Sequence, residues 1–135
     1  MPIQFPPNLG QILICDYQTG FQPPEMVKVR PVVVVSPRTR IATRLCVVVP
    51  LSTTQPDSPQ EYHYQLKLAR PLPEPFSAEE MWVKADLVAA VGFQRLSMPC
   101  SSRGRDGQRK YFKVLIDAEQ LEAVQACVKK IFGFN

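Results

Sequence analysis

The chain has 135 residues, of which 45 % are hydrophobic and 21 % charged, and a formal net charge of +4. That length holds one domain over residues 1–135 and is too short for two ordinary ones. No apolar run approaches the ~20 residues of a membrane-spanning helix. The N-terminal segment has neither a basic leader nor a hydrophobic signal core, so a cytoplasmic protein without membrane contact is expected. Four scattered cysteines and a single histidine, His63, argue against a Cys/His zinc site and against a Cys/His nucleophile pair. Neither a metal nor another cofactor is expected, and Cys15 and Cys46, set in apolar runs, read as core filler.

In chain order, residues 10–17 (GQILICDY) form a first expected strand, opened by a turn glycine. Residues 18–24 are a loop, broken by glycine and a proline pair. Residues 29–36 (VRPVVVVS) form a second strand, whose four consecutive valines predict burial on both faces. An arginine-rich connection at 37–44 leads to a third strand at 45–51 (LCVVVPL), and the hydroxyl run Ser52-Thr53-Thr54 follows. After a turn at 55–60, residues 61–68 alternate as a fourth strand. The proline-rich stretch 69–78 is an extended loop. Residues 81–85 (MWVKA) are a further strand with Asp86 at its end, and 88–96 either continue it or turn. A polar hairpin at 99–110 precedes a last strand at 111–116.

All 14 prolines lie at or before Pro99, which leaves the C-terminal part free to be helical. Asp117 is a good N-cap, and Gln120 has capping-box spacing from it. Leu121, Val124, Val128 and Ile131 then share one helical face. Lys129 and Lys130 suit the last turn, and Gly133 is placed to end the helix. The expected class is mainly β with one C-terminal α-helix, a small curved sheet closed by that helix.

Charge is unevenly spread. Residues 26–56 carry five basic side chains and no acid, residues 81–116 seven bases and two acids, and the intervening 57–80 five acids and two bases. Two basic segments brought together by the fold would suit a polyanion.

Three blocks carry a resemblance: GQILICD at 10–16, EMVKVRPVVVVSP at 25–37 and CVVVPLSTT at 46–54, with a weaker continuation through VKAD at 83–86. Spaced in this way they resemble the MazF/PemK family of toxin endoribonucleases, nearest its YifN-like branch. The resemblance implies an SH3-like small barrel of the toxin endoribonuclease and gyrase-poison type and a homodimer. It also implies cleavage of single-stranded RNA and a small antitoxin that covers the RNA groove.

Metal-free RNA cleavage uses the 2′-hydroxyl as nucleophile. It needs a group for the 2′ proton, a cation for the added phosphate charge and a proton for the leaving 5′ oxygen. With one histidine the chain must draw these from Arg, Lys, Asp, Glu or hydroxyls. The resemblance places the family's essential arginine at Arg30, which a stiff strand holds and whose planar fork suits phosphate oxygens. The alternative for Arg30 is an ordinary pair with Asp16 or Glu25. Ser52 stands where the family commonly has threonine and keeps the hydroxyl. Glu25 matches an acidic position of some members and can accept the 2′ proton or orient Arg30.

Asp86 and Lys84 match an aspartate and an arginine of one branch. Lysine there gives up the bidentate grip. His63 does not fall where the PemK-like branch has its histidine; Tyr17, Gln18 and Thr19 do, so no histidine role carries over. Lys28, Thr53, Thr54, Arg38, Arg40, Arg103 and Arg105 are the candidate contacts to the RNA backbone. Phe93 and Tyr111 are candidate base stackers or core, and Trp82 reads as packing. Two other functions stay open: an RNA-binding module without catalysis, and a gyrase-poison-type inhibitor acting through the C-terminal IFGFN.

Overall fold

A computed structural model describes residues 1–38 and 43–134. Eight strands, β1 (Gln11–Asp16), β2 (Val29–Val34), β3 (Leu45–Ser52), β4 (His63–Lys67), β5 (Glu80–Lys84), β6 (Ala89–Gly92), β7 (Leu96–Ser97) and β8 (Val114–Leu115), precede one helix, α1 (Ala118–Phe132). All pairings are antiparallel. The main path runs β4-β5-β3-β2-β1-β7, with β6 on β3 and β8 on β1. The mainly-β architecture with its C-terminal helix is the expected one. The ring of strands is not closed, because β4 and β7 end the path without pairing to each other.

Two central strands each divide one edge between two partners. β3 gives Leu45–Val48 to β6 and then Leu51 and Ser52 to β5. β1 gives Gln11 and Ile12 to β8, and Ile14 and Cys15 to β7. The expected strand at 111–116 is therefore cut to Val114–Leu115, since only two residues of that edge remain. The expected 88–96 element becomes β6, a 3-10 turn at Phe93–Arg95 and β7. The polar hairpin is an exposed arm, with Cys100 bridged to Tyr111 and Ser101 N–H donating to Lys110 O at 2.8 Å.

The valine run buries both faces, as its composition predicts. Val33 joins Ile12, Val49, Leu51, Leu66, Met81 and Val83 in a core capped by Val124 and Cys127 of α1. Val32 and Val34 face the opposite way, with Leu13, Cys15, Tyr17, Val48, Phe93 and Leu96. This second core is covered by loops instead of a helix: Phe21 and Met26 from the 17–28 connection, Ile3 and Met98 pack on it.

Local signals set α1. Asp117 and Gln120 form the full capping box, with Gln120 N–H donating to Asp117 Oδ1 at 2.8 Å and Asp117 N–H to Gln120 Oε1 at 3.1 Å. Gly133 ends the helix at φ +76°, a left-handed conformation suited to glycine. Gln120 also donates to Lys67 O at 2.7 Å, tying the helix start to β4. At the other end of the chain Gly10, at φ +84°, donates to Val34 O and accepts from Ile116 N–H. It thereby joins β1, β2 and the approach to the helix. No helix among the described residues is long and apolar enough to cross a membrane.

Candidate functional site

Arg30 is the second residue of β2 and pairs across the ladder with Cys15 of β1. Side chains alternate along a strand, so Arg30 shares its face with Val32 and Val34, over the second core. On β3, Ser52 likewise shares a face with Val48 and Pro50. Val32 pairs with Pro50, and carrying that antiparallel register two residues further sets Arg30 opposite Ser52. Adjacent strands lie about 4.8 Å apart, and the paired register stops at Val32–Pro50, so Arg30 and Ser52 stand just past its end on the same face of β2 and β3. The strand that fixes them is stiff and β-branched.

The state of each polar group matters. The Arg30 Nε is buried and has no hydrogen-bond partner among the described residues. The expected alternative, a pair with Asp16 or Glu25, is not present among the described residues. The Asp16 carboxylate accepts from Gln18 N–H at 2.8 Å and that of Glu25 from Gln22 N–H at 2.8 Å, and neither lies within ion-pair distance of Arg30. A buried, unpartnered donor costs about 1–3 kcal/mol, and the Tyr17 hydroxyl is likewise buried without a partner among the described residues. Ser52 is only 5 % exposed. Its Oγ accepts from Thr54 N–H at 3.1 Å, which leaves its own proton to donate. β3 stops at Ser52, and Thr53 and Thr54 are exposed in the bend that follows.

The other candidates are arranged around this pair at different distances. Lys84, half-buried, ends β5, on the same face as Trp82, which pairs with Ser52. Asp86 is exposed in the 3-10 turn after Lys84, and no hydrogen bond or ion pair among the described residues joins it to Arg30 or Ser52. Glu25 and Lys28 are exposed on the connection into β2. That connection is pinned beside the site: Phe21 meets Tyr17 edge-on at 5.1 Å, and the Arg95 guanidinium sits 4.8 Å from the Phe21 ring centre. Arg95 also donates to Asp16 O at 3.0 Å.

Arg38 is not with Arg30. It lines a cavity of about 480 Å³ with Gln11, Lys113, Tyr111 and the N-terminal segment. Gln11 and Cys15 are four residues apart on β1, so this cavity begins about 13 Å along the strand from the Arg30 row. Arg103 and Arg105 are exposed near the tip of the arm, and Arg40 lies outside the described residues. Phe93 is core, whereas Tyr111 is 48 % exposed. His63 starts β4 opposite Lys84, and its Nδ1 accepts from Gln60 N–H at 3.0 Å. Cys15, Cys46 and Cys127 are buried. Burial pushes the Cys15 thiol up to about 12, against a smaller opposing pull from the neighbouring Tyr17 hydroxyl and Arg95. Burial raises the Cys46 and Cys127 thiols as well, so none of these three buried thiols is a ready nucleophile.

Trp82, read from the chain as packing, is half-buried. Its neighbours Met81 and Val83 are in the helix-side core, and Trp82 itself belongs to neither core. The alternation Met81-Trp82-Val83 is the signal that turns it outward. It does so on the Ser52 side of the sheet.

The family model described as PemK-like, MazF-like toxin of type II toxin–antitoxin systems matches residues 8–132. The uncharacterised protein YifN of Escherichia coli (strain K12) is 34 % identical over 122 residues, covering 77 % of this chain and 80 % of YifN. Among solved structures, an endoribonuclease from a mycobacterial species, in complex with its cognate antitoxin, superposes with a TM-score of 0.64 at 19 % identity, covering 96 % of this chain and 97 % of that one. MazF from Deinococcus radiodurans gives a TM-score of 0.63 at 17 % identity, covering 97 % and 100 %. At those identities the structures speak for the fold, and the family match and YifN for descent. The chain belongs to the PemK-like, MazF-like family of type II toxin–antitoxin toxins.

Proposed function

We propose that the chain is a toxin endoribonuclease that cuts single-stranded RNA without a metal ion. One observation carries the reading: an arginine with a buried, unpartnered Nε stands across the strands from a hydroxyl that still has its proton to give. The 2′ oxygen attacks the adjacent phosphorus and its O–H bond breaks. The bond from phosphorus to the 5′ oxygen then breaks, that oxygen takes a proton from water, and a 2′,3′-cyclic phosphate and a 5′-hydroxyl result. Arg30 holds the phosphate oxygens as negative charge builds, and Ser52 donates a hydrogen bond to one of them. A carboxylate takes the 2′ proton: Glu25, on the connection entering β2, or Asp86, on the turn leaving β5. Lys84, Lys28 and the arm residues Arg103 and Arg105 track the flanking backbone. A single strand lies along a surface, which suits a site at the rim of the second core, where Arg30 and Lys84 are half-buried and Glu25, Thr53, Thr54 and Asp86 are exposed.

The similarity to a mycobacterial endoribonuclease held by its antitoxin supports a small antitoxin as partner, covering the Arg30 face. A homodimer completes the assembly, with the basic segments of two copies lining a longer groove than one 15.2 kDa chain offers; light scattering is expected to give twice the chain mass.

Incubation of the purified protein with a long RNA in EDTA tests the core of the reading. Discrete cuts ending in cyclic phosphate are expected, and Glu25→Gln and Asp86→Asn separate the two candidate bases. Cleavage that is lost in EDTA and returns with Mg²⁺ would overturn the metal-free mechanism.

A further inference from the structure

The cross-strand row that contains Arg30 and Ser52 continues past them. Ser52 pairs with Trp82, and Trp82 pairs with Gln65. The pair Cys15–Arg30 and the row Ser52–Trp82–Gln65 fall into one line across β1, β2, β3, β5 and β4 when the β2–β3 register is carried two residues past Val32–Pro50. Cys15 and Ser52 are buried, Arg30 and Trp82 half-buried, and Gln65 at the far end is exposed. Trp82 is half-buried, and its strand neighbours Met81 and Val83 hold β5 against the helix-side core. On the other face it packs in neither core.

Its surroundings there are polar. Ser52 lies on one side and Gln65 on the other, with Gln65 Nε2 donating to Glu80 Oε2 at 2.9 Å. Lys84 lies two residues along the strand and faces His63. The largest aromatic surface in the chain is therefore held on a rigid strand, one strand spacing from the hydroxyl assigned to the phosphate.

We propose that Trp82 is the platform on which a base flanking the cleaved phosphate stacks; this rests on the RNA-cleaving reading above. A nucleobase attached to a ribose whose phosphate is gripped at Arg30 and Ser52 reaches the neighbouring strand. There it meets an indole, which stacks with any base because every base has a π-face. Preference at this position follows stacking strength, and Gln65, fixed by Glu80, borders the base edge.

Trp82 is the single tryptophan of the chain, so intrinsic fluorescence reports on this one side chain without any substitution. The probe is a dye-labelled random RNA of about ten nucleotides, fully 2′-O-methylated so that it lacks the nucleophile. Binding read by dye anisotropy is expected to quench tryptophan emission along the same curve. An abasic oligomer of equal length is expected to bind without the quench. Trp82→Ala should bind the RNA about 5- to 100-fold more weakly, and Trp82→Phe should recover most of the loss.

Saturating RNA binding with unchanged emission, or wild-type binding by folded Trp82→Ala, overturns the platform while leaving cleavage of ordinary RNA untouched. If Trp82→Ala fails to fold, the wild-type quench and the Trp82→Phe affinity decide alone. Quenching by the 2′-O-methyl RNA with no cleavage of unmodified RNA overturns the nuclease reading and leaves the platform standing. Folded protein that binds no RNA overturns both.

Discussion

Arg30 and Ser52 differ in what they give the proposed reaction, and the difference is measurable. In the proposed reaction the guanidinium is a preorganised cation at the place where phosphate charge grows, and losing one such donor costs about 10²- to 10³-fold in rate. Arg30→Ala is expected to fall by that amount while folding normally and still binding RNA through the arm. Arg30→Lys should lose much of the same, because an ammonium cannot present two parallel N–H bonds. Ser52→Ala removes a neutral hydrogen bond, worth about 0.5–1.5 kcal/mol, so a loss of about 2- to 10-fold is expected. It also frees Thr54 N–H, which the Ser52 Oγ now accepts. Single-turnover cleavage of one oligonucleotide by all three variants tests the order. Wild-type turnover by folded Arg30→Ala would remove Arg30 from the site. The resemblance marked these two residues from the chain alone. What it could not show is the unpartnered Nε, which depends on where the carboxylates of Asp16 and Glu25 settle, and both settle on backbone N–H groups of their own loops.

At the scale of elements, legibility follows how local the cause is. α1 was readable to its caps, because Asp117, Gln120 and Gly133 act within one turn of the helix end. The valine strand was readable because a run with no polar alternation has to be covered on both sides. The short strands were not. β6, β7 and β8 exist only where a longer strand leaves part of its edge free, and that allocation is decided by residues far away in the chain. The same holds for Trp82, whose outward face becomes meaningful only once β5 is known to lie beside Ser52. The helix cap offers a clean test. Asp117→Ala removes the acceptor for Gln120 N–H and breaks the box, at a cost of about 1 kcal/mol. Urea unfolding should show a lower midpoint with an unchanged slope. An unchanged midpoint would mean that the tie from Gln120 to Lys67 O already holds the helix start without its cap.

The molecule as a whole buries thiols in both of its cores, and this gives its stability a direction with pH. Burial raises the Cys15 thiol from an ordinary 9.0 to about 12 and the Cys46 thiol from 9.0 to about 11. The Cys127 thiol is raised too, and the buried Tyr17 hydroxyl moves the same way, with Cys15 as its neighbour. Below pH 9 these groups are protonated in both folded and unfolded chains and contribute no slope. Above it the unfolded chain releases thiol protons that the folded chain retains. The unfolded state then binds fewer protons, and unfolding free energy falls as pH rises. The fall starts near pH 9 and runs on until the folded thiols ionise, near 11 for Cys46 and near 12 for Cys15. At pH 10 the loss is about 1 kcal/mol for each of these two thiols. Cys46→Ala removes one such proton, so its stability should decline less steeply over the same range, whatever its starting value. Urea midpoints at intervals between pH 7 and pH 10.5 measure both chains. Equal slopes for the two would show that Cys46 ionises alike in the folded and unfolded states, so that the second core is open to water at β3.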